Sequence, residues 1–101
     1  MSTDSIVKTR TRVDVKIPSN YKVIYINDDV TTMDFVIETL TAIFNLTRES
    51  SEELVYKIHN DGSAVVAVLP YEMAEQKGIE VTLDARNQGY PLQVKIEADA
   101  S

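Results

Sequence analysis

Three short apolar runs separated by stretches of helical periodicity limit this chain to a small set of layered folds. The first run, residues 21–27 (YKVIYIN), is rich in valine, isoleucine and tyrosine, which favour a pleated backbone. Asn27-Asp28-Asp29 ends it, because these side chains favour turns and helix caps. Met33, Val36, Ile37, Leu40, Ile43 and Phe44 then recur at a 3.6-residue period and predict a helix over residues 32–45. Thr31, with Asp34 three residues later, is its expected cap.

Thr47 is expected to cap a second helix over residues 48–60, with Glu49, Glu52 and Glu53 near its start, where the helix dipole favours anions. Leu54, Val55 and Ile58 form its apolar stripe, and Gly62 supplies a left-handed C-terminal cap. Asn60-Asp61-Gly62 also fits a hairpin turn, but the helical pattern before it favours the cap. Residues 63–69 (SAVVAVL) read as a strand buried on both faces. Pro70 opens a third helix over residues 71–88, with Gly78 as a weak point and Gly89 as its stop. Residues 91–98 form a last strand with Leu92, Val94 and Ile96 on one face. The order β-α-α-β-α-β predicts an α+β fold: a two-layer sandwich with a three-stranded antiparallel sheet packed on one face against three helices.

The 101 residues make one domain. Residues 1–19 read as a mobile N-terminal tail, rich in Ser, Thr and charge and closed by Pro18, and residues 20–101 as the folded domain. Val13, Val15 and Ile17 alternate in the manner of a short strand, but a segment that orders on a partner is the preferred reading. Net charge is −6, divided between +2 over residues 1–20 and −8 over the rest. An acidic body does not track nucleic-acid phosphates and suits a cationic partner better, although acidity also serves solubility alone.

Cysteine is absent and there is one histidine, which excludes disulfides, thiolate chemistry and multi-histidine metal sites. No metal or cofactor is expected. The longest apolar run, residues 64–69, is far too short to span a membrane, and residues 1–12 carry no apolar leader segment.

Asn27, Asp28 and Asp29 place two carboxylates and an amide between a strand and a helix, a set of acceptors suited to a cation or simply to a turn. The spaced ligands of a calcium loop are missing. His59 shares a helix face with Val55 and Ile58 and reads either as a site residue or as a C-terminal cation. A hydrolase would need Ser50 or Ser51 beside His59. Eight residues, about 12 Å along a helix, separate Ser51 from it, and no nucleophile-elbow motif is present.

Taken in order, these residues resemble the ClpS family of adaptor proteins. The carrying residues are Tyr21-Lys22-Val23-Ile24, Asn27-Asp28-Asp29 and Thr31-x-Met33-x-Phe35-Val36, then Ile58-His59-x-x-Gly62 and Glu72-x-Ala74-Glu75-x-Lys77. Ala85-Arg86-x-x-Gly89-x-Pro91-Leu92 completes the pattern, which covers residues 20–97. The resemblance implies a non-enzymatic module that captures proteins beginning with Leu, Phe, Tyr or Trp, the N-degrons. It hands them to a AAA+ unfoldase of the Clp protease, of the ClpA or ClpC type. It implies a monomer with no nucleic-acid or membrane partner, in the cytoplasm, with a plastid stroma as the other compartment.

By position, the resemblance assigns Asn27, Asp29 and His59 to the substrate α-amino group and Asp28 to the nearby peptide backbone. Ile26, Thr31, Met33, Val36, Val55, Ile58 and Leu92 would line the side-chain pocket, and Glu72 and Lys77 would lie on the unfoldase-docking surface. The tail would engage the ATPase ring. Val55 stands where family members often carry Met, and Thr32 and Pro70 depart from the usual Pro and Thr.

The chemistry fits independently. An α-amino group, with a pKa of about 8, is mostly cationic at neutral pH, and charge-assisted hydrogen bonds are the strong ones. Asn, Asp and neutral His all offer acceptors. Protonated imidazole offers none, so binding is expected to weaken in acid. The alternative is the same fold used as a general protein-interaction domain, indifferent to a free amino terminus.

Overall fold

The computed structural model describes residues 19–100. The tail expected over residues 1–19, with its strand-like alternation, falls outside them except for Ser19. Six elements follow in the expected order: β1 (Tyr21–Ile26), α1 (Met33–Phe44), α2 (Arg48–Asp61), β2 (Ser63–Leu69), α3 (Tyr71–Asn87) and β3 (Gln93–Ala98). The strands form one antiparallel sheet in the order β2-β1-β3. The fold is the expected α+β sandwich.

β1 is central, and its alternation explains the two layers. Val23 and Tyr25 are fully buried, whereas Lys22 and Ile24 are only half-buried. Tyr25 meets α1 through a 2.8 Å hydrogen bond with Thr39 Oγ1. That hydroxyl donates in turn to the Val36 carbonyl at 2.8 Å, so the tyrosine is the donor of the pair. Burial pushes the Tyr25 phenol well above its ordinary value, and the bond to Thr39 offsets this only in part.

β2 corrects the expectation of a strand buried on both faces. Ala64 and Val66 are buried, but Val65 and Val68 are 40% and 46% exposed. The reason is the layering: the helices cover one face of the sheet and leave the other to solvent, as the alternation in β1 also shows. A register shift opposite Val23 and Ile24, a β-bulge, interrupts the ladder within the apolar run.

α1 presents Val36, Ile37, Leu40 and Ile43 to a core completed by Val55 and Ile58 of α2 and Ala74, Val81 and Ala85 of α3. Burying Leu40 completely is worth about 1.5–3 kcal/mol. The cap of α1 is Thr32, whose Oγ1 accepts from Phe35 N at 3.2 Å. The expected cap, Thr31, is engaged elsewhere. Thr47 caps α2 as expected, accepting from Ser50 N at 3.0 Å. Asn60-Asp61-Gly62 is a helix end, not a hairpin: Gly62 has φ 90° and donates to the Ile58 carbonyl at 2.9 Å. α3 runs unbroken through Gly78, which is buried against Val94 and Ile96 of β3. An added Cβ there would stand 3.6 Å from Val94, so the helix lies close on the sheet at this point.

Candidate functional site

The loop after β1 and the last turn of α2 meet beside the first turn of α1. There they enclose a cavity of about 250 Å³ lined by Asn27, Asp28, Asp29, Thr31, Met33, Val36, Val55, Ile58 and His59. A cavity of about 150 Å³ holds a benzene ring, so this one has room for a single large side chain.

The cavity has an apolar floor and a polar mouth. Val36, Val55 and Ile58 are buried at 8%, 6% and 5% exposure. Asn27, Asp29 and His59 are exposed, and among the described residues their side chains make no hydrogen bond or ion pair. Three acceptors from two separate segments therefore stand unpaired around one opening. A backbone bond fixes their spacing: Asn27 N donates to the Gly62 carbonyl at 2.8 Å and ties the end of β1 to the end of α2.

Asp28 is different, because both its oxygens are engaged. Oδ1 accepts from Val30 N at 2.8 Å and from Thr31 N at 2.6 Å. Oδ2 accepts from the Thr31 hydroxyl at 2.8 Å. Burial pushes this carboxyl up, but those bonds and the nearby positive charge of Arg86 outweigh it and hold it below the ordinary carboxylate value. The guanidinium of Arg86 is itself held by the carbonyls of Tyr90 and Leu92, each at 2.9 Å. The sequence gives no signal for this link, since 58 residues separate Asp28 from Arg86.

Two residues assigned to the pocket lie outside its lining. Ile26 follows inward-facing Tyr25 in the strand alternation and pairs with Ser63 and Gln93 on the opposite face of the sheet. Leu92 is 2% exposed and belongs to the core. Glu72 is exposed in the first turn of α3. Lys77 is half-buried, donates to the Ile43 carbonyl at 2.8 Å and lies 5.9 Å from the Phe44 ring centre. Its ammonium thus satisfies a free carbonyl at the end of α1.

Ser51 is not placed as a nucleophile. Ser51 is fully buried and donates to the Thr47 carbonyl at 2.8 Å. Among the described residues no group of three or more His, Asp or Glu could hold a metal ion. Among them, too, no helix is long and apolar enough to cross a membrane.

The site is thus an apolar cavity rimmed by unpaired acceptors on a small α+β domain. Residues 16–95 match the family model of the ATP-dependent Clp protease adaptor protein ClpS. The ClpS adapter of Treponema denticola is 45% identical over 80 residues, 79% of each chain. That of Acetivibrio thermocellus is 40% identical over 99 residues, 98% of this chain and all of the relative. Among solved structures, Agrobacterium tumefaciens ClpS2 bound to L-phenylalaninamide superposes with a TM-score of 0.78 at 35% identity. The match covers 82% of this chain and all of that one.

The chain belongs to the ClpS family of Clp protease adaptors. It works with the Clp protease and its substrates, and it is not itself an enzyme.

Proposed function

We propose that the cavity captures the first residue of proteins beginning with Leu, Phe, Tyr or Trp, and that the chain delivers them to a AAA+ Clp unfoldase of the ClpA or ClpC type. The observation that carries this reading is the set of three unpaired acceptors, Asn27, Asp29 and His59, at the mouth of an apolar cavity. An α-ammonium has three N–H donors and a positive charge, so it can satisfy all three acceptors at once. An internal peptide nitrogen has one hydrogen and no charge, and would leave acceptors unpaired at a cost of about 1–3 kcal/mol each.

The side chain of the first residue fills the space over Val36, Val55 and Ile58. Burying a Leu or Phe side chain contributes about 1.5–3 kcal/mol, which a Ser side chain does not. Asp28, with its oxygens held by Thr31 and Val30, shapes the loop beside the peptide backbone and keeps a negative charge there. The ligand of the Agrobacterium relative, a phenyl side chain beside a free amino group, has the chemistry this cavity would accept. Ile26 and Leu92 take no part in this lining. Glu72, exposed on α3, and Lys77, joining α3 to the end of α1, mark the surface that meets the unfoldase, and the N-terminal tail engages the ATPase ring.

The test is fluorescence polarisation with labelled peptides that differ only in their first residue. Leu and Phe peptides should bind at least tenfold more tightly than the Ser peptide. Equal affinities would contradict the reading and favour a general interaction domain.

A further inference from the structure

A second cavity, about 260 Å³, lies between α1 and α2, lined by Met33, Asp34, Ile37, Arg48, Glu52, Val55 and Tyr56. Met33 and Val55 line both it and the first cavity. We infer that these two side chains form a partition that lets the ring of an aromatic first residue reach from the first cavity into the second, so that Trp and Tyr are preferred to Phe and Leu. This inference rests on the proposed N-terminal reading and refines its substrate class.

The position of the second cavity decides its occupant. Met33 and Val55 line both cavities, and in the first they belong to the apolar end and not to the acceptor rim of Asn27, Asp29 and His59. What extends into it is therefore the far end of the first side chain. The two sides of the partition differ in mobility. Val55 is 6% exposed, short and stiff, and packs into the core. Met33 is 47% exposed and has three rotatable bonds, so it can move aside without disturbing the core.

The far cavity also has chemistry for a ring carrying a donor. Asp34 lies in the first turn of α1, and its carboxylate has no hydrogen-bond or ion-pair partner among the described residues. Arg48 Nε is 3.3 Å from Glu52 Oε2, so that pair is mutually engaged. Indole N–H and phenol O–H are donors, which Asp34 can accept, whereas Phe and Leu have none. Tyr56 adds an exposed aromatic wall.

The experiment is isothermal titration of the full chain with the amides of Leu, Phe, Tyr and Trp. Trp and Tyr amides should bind more tightly than Phe and Leu amides. Val55→Met lengthens the partition and should lower the Trp-to-Leu affinity ratio about tenfold, one steric misfit in a tight pocket. Because Val55 is buried, Asp34→Ala, an exposed substitution, gives an independent arm. It should lower the Trp-to-Phe ratio about tenfold, the effect of one lost hydrogen bond to a charged group. If Leu and Phe amides bind as tightly as Trp and Tyr amides, or Asp34→Ala shifts all four alike, the second cavity takes no part and only this inference falls. If none of the four binds to folded protein, the N-terminal reading falls, and this one with it.

Discussion

The backbone N–H of Asn27 donates to the carbonyl of Gly62 at 2.8 Å, which locks the loop after β1 to the C-terminal cap of α2. One bond thereby sets the distance between Asn27, at the start of the acidic loop, and His59, three residues before the cap. Gly62 can fill this place because its φ of 90° is costly for any residue with a Cβ. An added Cβ would meet nothing within 4 Å, so a substitution there tests the backbone alone. Gly62→Ala should destabilise the fold by about 1–2 kcal/mol in urea denaturation and weaken peptide binding by displacing Asn27 from His59.

Asn27, Asp29 and His59 are predicted to matter for binding and not for stability. None has a side-chain partner among the described residues, so alanine at any of them should leave the urea midpoint almost unchanged. Each should weaken a Leu-initiated peptide about tenfold or more, the effect of losing one hydrogen bond to a charged group. A variant that lost stability and affinity together would point to a scaffolding role.

Acid should weaken binding through His59. A protonated imidazole both lacks an acceptor and repels an α-ammonium. Affinity for the Leu peptide should fall from about pH 7.5 to about pH 5.5 in the wild type. His59→Gln retains an acceptor that does not titrate, so its profile should be flat over the same interval.

Asp28 should govern stability in more acidic solution. Its carboxyl is held below the ordinary value, so the folded state binds this proton less readily than the unfolded chain. The stabilisation is fully present above the ordinary carboxylate value and is lost as pH falls through the lowered folded value. Urea curves of wild type and Asp28→Asn should therefore differ at neutral pH and converge in strong acid.

Tyr25 should limit stability in base. Its phenol is raised in the folded state, so the stabilising effect is complete below the ordinary value of 10.0 and declines above it. Tyr25→Phe should cost about 1 kcal/mol at neutral pH, since Thr39 keeps its bond to the Val36 carbonyl. Above pH 10 the wild type should lose that advantage and the variant should change less.

The order of elements was legible because each is marked by local chemistry. The period of Met33, Val36, Ile37 and Leu40, the cap at Thr47 and the turn at Gly62 can be read in short windows. The sequence pattern points to Thr31 and not Thr32 as the cap of α1 because the two threonines are chemically equivalent. Only the tertiary loop shows that Thr31 bonds Asp28 while Thr32 faces Phe35 N. The exposure of Val65 and Val68 is hidden for a similar reason: a continuous apolar run does not reveal that only one face of its strand is covered. Of the eleven residues that the resemblance assigns to the amine, the backbone and the side-chain pocket, nine line one cavity. Ile26 and Leu92 stand outside it because strand alternation and core packing direct them elsewhere. The contact of Lys77 with the Ile43 carbonyl joins residues 34 apart and leaves no trace in the sequence pattern.

The central claim is that a free α-amino group is what the three acceptors recognise. The most direct measurement is fluorescence polarisation of one Leu-initiated peptide in two forms, with its amino terminus free and acetylated. Acetylation removes the charge and two of the three donors while keeping the side chain. The account predicts saturable binding of the free form and a loss of at least a hundredfold on acetylation, the sum of two hydrogen bonds at about 1.5 kcal/mol each. Equal binding of the two forms would contradict it.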